Sequence, residues 1–599
     1  MKNFRLKLNQ LFIALILFFN CTYTLHAENF PLIANINGRH NTLLNGNWKF
    51  IIDPMENGLN RKFYLDAVST EKSKYYSYNF ENAEDLTVPG DWNTQQPELL
   101  YYEGTIWYRK IFNYQIQKGN RLFVHFGAIN YASIVYLNGE ELGEHIGGYT
   151  PFNFEITKLV RNGENSLVIK VDNKRHPEGI PESVFDWWNY GGITRPVTLI
   201  ETPSTFICDY SIQLSNKDEN LIEGWIQLDG KKLNEQISIE IPELKIKTKI
   251  KTNPNGTAVF DIKAKPSYWS PENPKLYTVN ITSEFDQISE SIGFRTIKTM
   301  GKKILLNGKE VFFRGVNIHA QLKGRSVYST EDASILLGWA KELGCNFVRL
   351  AHYPHSEEMI RLAEQMGIMV WEEIPVYWRI QFSNPETYAN AENQLEEIIA
   401  RDKNRANIVI WSMANETPIN NDRLEFITRL VNRTRELDDR RLISAALHGT
   451  KENKPNVKSI EDELIDVLDV VSINQYYGWF SGTPETLDDL EWEFDFQKPL
   501  LMTEFGASSP YDRHGDKSEK YTEENQAFYY EKTIEMIKRI PDLSGTCPWN
   551  LAEHRSPLRV MSGIEDSYSR AGFISSNGLR KKAFYVMKKW YDELIEEKK

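Results

Sequence analysis

Cysteine is scarce in this chain, with four in 599 residues. They stand at 21, 208, 345 and 547, without the close spacing of a metal site or the density of a disulfide framework. Positive charge is not in excess either. Seventy Lys and Arg face 82 Asp and Glu, a net charge of −12, which disfavours long-range attraction to nucleic acid or an anionic membrane. A local group of cations could still hold a single carboxylate. Beyond the N-terminus no run approaches the roughly 20 apolar residues that a bilayer span requires. A Ser nucleophile elbow, a Gly-rich phosphate loop and a His/Cys metal set are all missing. What remains is a long chain of ordinary globular composition, 41% apolar and 25% charged, whose length predicts three or four folded units with separate cores.

The one long apolar run, Leu11 to Phe19, follows Lys2, Arg5 and Lys7 and precedes the small residue Ala27. Basic start, short apolar core and small cleavage residue predict a secretory signal over 1–27. The mature protein is then exported, to the periplasm by this reading. Cys21, directly after the run, supplies a competing reading as a lipid-anchored first residue, which the unusual neighbour Asn20 weakens.

From 28 to 203 short alternating apolar runs are broken by Gly, Asn and Asp, as in RLFVHFGAIN and NSLVIKVDN. This predicts an all-β, jelly-roll-like sandwich. A second β segment, 204–297, has the size and punctuation of one immunoglobulin-like sandwich. After Gly301 the rhythm changes to strand-like runs alternating with helical stretches such as EEMIRLAEQMG. Eight candidate strands can be counted, at 311–317, 346–352, 368–374, 407–416, 442–447, 469–478, 499–506 and 545–553. Eight βα units in about 300 residues predict a (β/α)8 barrel over 298–599, with its chemistry at the C-terminal strand ends.

Polar residues collect at those ends: His352, Glu372, Glu373, Asn415, Glu416, Tyr476, Tyr477, Glu504, Trp549, Asn550 and Glu553. Carboxylates, amides and aromatics converging on one mouth are what glycosidic cleavage needs. One carboxyl protonates the departing oxygen and the other meets the positive charge at the sugar carbon. His352 and His355 have Pro354 between them and no third ligand nearby, so no metal site is expected. Trp187, Trp188 and Trp269 are expected to be core. Glu372, Glu373 and Glu553 are expected to position neighbours, and Arg349 to orient a carboxylate.

The segments DWWNYGGITRPV, WSPENPKLYTV, IGFRTI, FFRGVNIH, NFVRLAHYPHSEEM, VIWSMANE, NQYYGWF, LLMTEFG and WNLAE, in this order, resemble glycoside hydrolase family 2. That group contains β-glucuronidases and β-galactosidases, and the compact length resembles the β-glucuronidase type. The resemblance implies an exo-acting retaining β-glycosidase built from sandwich, immunoglobulin-like domain and barrel. Glu416 would be the general acid/base, initially protonated, and Glu504 the ionised nucleophile. Asp186, His352, Asn415, Tyr476 and Trp549 would line the sugar site, with Asn415 on the 2-hydroxyl and Asp186 on the distal hydroxyls. In the family's β-glucuronidases an Asn-x-Lys motif holds the sugar carboxylate. Here the corresponding stretch reads Tyr568, Ser569 and Arg570, a departure that leaves Arg570 as the candidate cation. A uronic acid is therefore the expected substrate sugar, with a β-galactoside or other neutral sugar as the competing reading. A carbohydrate-binding protein with an inactive barrel is the distant one. No cofactor is implied, the expected partner is a glycan, and related enzymes often assemble as homo-oligomers.

Overall fold

The computed structural model describes residues 31–67 and 78–597. The expected signal segment and Cys21 lie outside them. Among the described residues no helix is long and apolar enough to cross a membrane.

The first unit is a sandwich of two antiparallel sheets. One orders Asn41–Leu43, Val197–Thr202, Arg121–Phe126 and Phe152–Glu155; the other has six strands from Asp85–Val88 to Glu140–Ile146. Alternation sets the faces. In Gly46–Ile52, Trp48 and Phe50 point inward and join Ile106, Val124, Phe126 and Val171 in the core. A second sandwich has three strands (Thr205–Leu214, Leu221–Gly230, Thr257–Lys263) packed on four (Ile246–Lys251, Gln236–Ile241, Tyr277–Thr282, Gln287–Ile292). Its edge strand Ile246–Lys251 turns Lys247, Lys249 and Lys251 to solvent, which blunts pairing with another chain.

The third unit is a closed parallel barrel. Strand one is in two halves. Phe313–Arg314 pairs with the last strand, Leu543–Thr546, and Asn317–Ile318 with the second, Phe347–Leu350, so the ring closes across residues 313–318. Met369–Glu373, Ile408–Asn415, Leu442–Leu447, Val471–Asn474 and Leu500–Glu504 complete the eight. Helices follow strands one to four, seven and eight. Five of the six begin at a Ser, Asn or Thr whose side chain accepts a backbone N–H, as Ser329 does from Asp332 at 3.1 Å, satisfying groups left open at a helix start. After strands five and six only single turns, Glu463–Asp466 and Pro484–Leu487, stand in for helices. Trp269, Phe313, Phe347, Met369, Trp371 and Leu501 fill the barrel floor, so the chemistry is confined to the opposite mouth.

The second sandwich is bolted to the barrel by charge. Both oxygens of buried Glu290 accept from Arg361, at 2.8 and 3.0 Å, and one also accepts from Tyr210 at 2.9 Å. Burial alone would push this carboxyl up, but Arg405 and Arg361 pull it from 4.5 to about 2. A depressed carboxyl stabilises the fold above its ordinary value and loses that contribution as pH falls toward its folded value. The stability difference between the native chain and Glu290→Gln is therefore expected to be about 3 kcal/mol at neutral pH. It should shrink to near zero between pH 4.5 and 2, read from urea unfolding midpoints at each pH; a pH-independent difference would refute the assignment.

Candidate active site

Glu504 closes barrel strand seven and is fixed from both sides. Arg349 donates to its Oε1 at 2.6 Å and the Tyr476 hydroxyl to its Oε2 at 2.7 Å. Arg349 has no solvent exposure and stands at the centre of the site. It also donates to Glu373 at 3.0 and 3.2 Å, to Asn415 at 2.7 Å and to Asn317 at 3.1 Å. Two carboxylates raise its pKa far above even the ordinary arginine range despite burial, so it carries a permanent charge. Glu373 in turn accepts from Trp371 at 2.8 Å and contacts His352 Nδ1 at 2.9 Å. These partners, Arg349 foremost, overcome burial and bring it to about 2.

Glu416 follows the end of strand four with φ at 50°, a left-handed backbone that ordinary side chains avoid. Trp378, which packs beside it, also has positive φ, 53°. The indole N–H of Trp378 donates to Glu416 Oε2 at 2.9 Å, and Asn474 donates to Oε1 at 3.0 Å. His448 Nδ1 lies 3.5 Å from Oε1.

Glu416 and Glu504, 88 positions apart in sequence, line one cavity of about 270 Å³. Asp186, His352, Tyr377, Trp378, Tyr476, Trp479, Phe480, Trp549, Arg559 and Ser569 also line it. Of the sequence candidates, Asp186, His352, Tyr476, Trp549 and the two glutamates are thus brought together. Asp186 reaches in from the first sandwich and is held by Ser556 and Arg559. The His352 ring lies against Trp549 with centroids 4.9 Å apart.

Two candidates sit elsewhere. Asn415 is behind the cavity wall, where its Oδ1 accepts from Arg349 and, at 3.0 Å, from Asn474. Arg570 points away, with its guanidinium on Glu553 at 2.8 Å and on the carbonyl of Ile564 at 3.1 Å. The reason is Glu553, a buried carboxylate that draws both Arg570 and Lys581, at 2.8 Å each. Neighbours Ser569 and Ala571, not Arg570, face the cavity. The cation there is Arg559, on an irregular loop whose sequence has no periodicity to reveal it. Tyr377, Trp378, Asn474 and His448 were also unmarked. Asn474 ends strand six and could have been found by the strand-end rule; Trp479 and Phe480 lie within NQYYGWF. Glu372 is buried against Arg401 at 2.8 Å, and His355 bonds the carbonyl of Ala351 at 3.3 Å. Among the described residues no group of His, Cys, Asp and Glu is arranged to hold a metal ion.

The two carboxyl groups are driven apart in affinity, in a sense opposite to the simplest expectation for an empty site. Burial raises both. For Glu416 the bonds from His448, Asn474 and Trp378 win and bring it to about 2. For Glu504 burial and the negative charge of Glu416 outweigh Arg349, and its pKa is raised. Each carboxylate therefore responds to the charge on the other, and a proton arriving on Glu416 favours the anion at Glu504.

Comparison with known proteins is concordant along the chain. The description "Glycosyl hydrolases family 2, sugar binding domain" matches residues 42–203, "Glycosyl hydrolases family 2" matches 197–295, and "Glycosyl hydrolases family 2, TIM barrel domain" matches 297–539. The chain is 27% identical to a β-glucuronidase of Paenibacillus borealis over 572 residues, covering 85% of this chain and 90% of that one. It is equally similar, 27% over 596 residues and 88% of each chain, to the β-glucuronidase of Rattus norvegicus. A β-glucuronidase of an uncultured Clostridium shares the fold, with a TM-score of 0.81 and 24% identity over 94% of this chain and all of that one.

Proposed function

Given that the chain belongs to family 2 of the glycosyl hydrolases and is a glycoside hydrolase, we propose that it is an exo-acting, retaining enzyme that removes a terminal β-linked uronic acid. Glu504 attacks the anomeric carbon, and Glu416 protonates the departing oxygen and then activates water. Arg349 and Tyr476 fix both oxygens of Glu504, so little reorganisation precedes attack. His448, whose pKa is raised by its contact with Glu416, has Nδ1 3.5 Å from the acid, a placement from which it can pass Glu416 the proton that the leaving oxygen takes. Once Glu416 holds it, the repulsion on Glu504 is gone and Arg349 keeps the nucleophile ionised.

The observation that carries the uronate reading is that, among the described residues, Arg559 is the one Lys or Arg lining the cavity shared by the two glutamates. A guanidinium offers a carboxylate two parallel bonds. The similarity to proteins named β-glucuronidase supports the same sugar. Side-by-side assay of aryl β-glucuronide, β-galacturonide, β-galactoside and β-mannoside tests it. A uronide is expected to be hydrolysed best, and Arg559→Gln should lower its kcat/KM about 10- to 100-fold, the worth of a charge-assisted bond, while neutral glycosides lose less. Preference for a neutral glycoside would replace this reading with a β-galactosidase-like one. We further place the mature enzyme outside the cytoplasm, in the periplasm, on the support of the signal-like segment 1–27.

A further inference from the structure

A second, larger cavity of about 690 Å³ adjoins the catalytic one and shares Glu416 and Trp378 with it. It therefore opens on the side of the acid/base away from the nucleophile, where the group attached to the scissile oxygen must lie. Its wall combines an apolar floor, Trp378 with the exposed side chains of Val184 and Ile419, and two basic side chains, Arg379 and His448. Arg379 is exposed, and among the described residues no carboxylate pairs with it. In this it differs from Arg559 and Arg349, which are engaged by Asp186 and Glu504. His448 presents Nδ1 to Glu416, leaving Nε2 for a ligand. Two carboxyl groups share this wall: Glu416, which faces His448, and Glu182, which is half-buried and affected only by that burial, which raises its pKa. Neither makes an ion pair with Arg379, so neither neutralises that cation.

An unpaired guanidinium and an imidazole beside an apolar floor suit a sugar ring that stacks on its apolar face and bears an anion. Resting on the glycosidase reading above, we propose that this outer cavity binds the sugar released from the uronic acid and selects one carrying a carboxylate or sulfate ester, through Arg379 and His448. The natural substrate is then a fragment of an acidic polysaccharide with charge on both sides of the scissile bond.

The test uses three disaccharides with the same terminal uronic acid, whose second sugar is neutral, carboxylated or sulfated, together with the aryl uronide. At low ionic strength kcat/KM for an anionic acceptor is expected to exceed that for the neutral one about tenfold. The ratio should fall toward one in Arg379→Gln, recover in part in Arg379→Lys, and decline with added salt. Preference for either anion supports the proposal and identifies the group. Equal rates on all three disaccharides, or a preference untouched by Arg379→Gln, overturns it while leaving the glycosidase reading intact if the aryl uronide is cleaved. Failure to cleave the aryl uronide overturns both.

Discussion

Glu504→Gln is expected to reduce kcat by about 10⁴- to 10⁶-fold, the loss typical of removing a covalent nucleophile. The amide keeps the shape of the side chain and its contact with Tyr476, but it cannot form the glycosyl ester. The companion change Glu504→Ala should be equally inactive and yet recover part of its rate on an activated aryl glycoside when azide is added. The small anion occupies the volume left between Arg349 and Tyr476, whose donors still face it. The azide product should have the anomeric configuration opposite to the substrate, because a single displacement replaces the usual two. NMR of that product checks the geometry directly. Residual activity of Glu504→Gln within tenfold of the native enzyme would exclude Glu504 as nucleophile.

Arg349→Met is expected to damage stability and rate together. The side chain is fully buried between Glu504 and Glu373, with further bonds to Asn317 and Asn415. Removing one partner of a buried charge group leaves the others unpaired, at a cost of about 3–5 kcal/mol. The thermal midpoint should fall accordingly, and kcat by more than about 100-fold as Glu504 loses its fixed orientation and the charge that keeps it ionised. Arg349→Lys separates the two effects. It restores a charge, and so part of the stability, but a single ammonium cannot reach Glu504 and Glu373 with separate nitrogens. A stable, fully active Arg349→Met enzyme would show that the charge network is dispensable.

Much of this arrangement was legible before any coordinates, and the reason is local. Strands buried on both faces require uninterrupted apolar runs, so IVIWSMAN and LLMTE announced themselves, as did the polar residue ending each. Signals that depend on who competes for a side chain were not legible. Arg570 is next to residues that face the cavity, yet Glu553, far off in sequence-pattern terms though only 17 positions away, claims it. Arg559 lies on a loop without periodicity, and its role emerges only from the partner that a different domain supplies. Tyr476 and Tyr477 look alike in sequence, but beyond the end of strand six their side chains find different partners. The first bonds Glu504, and the second contacts Thr450 at 2.7 Å. The proton preference of Glu416 was also out of reach, since it rests on His448, Asn474 and Trp378 arriving from three other segments of the barrel.

Asp186 carries one more consequence. Because this side chain crosses from the first sandwich to hold Ser556 and Arg559 on the barrel's rim, the sugar pocket has no complete wall until two separately wound parts of the chain have docked. A barrel expressed alone would keep both glutamates and still present a pocket missing one side. Turnover in this molecule is consequently a readout of assembly, and mutations that only loosen the join between the modules can silence the enzyme without touching a reacting atom.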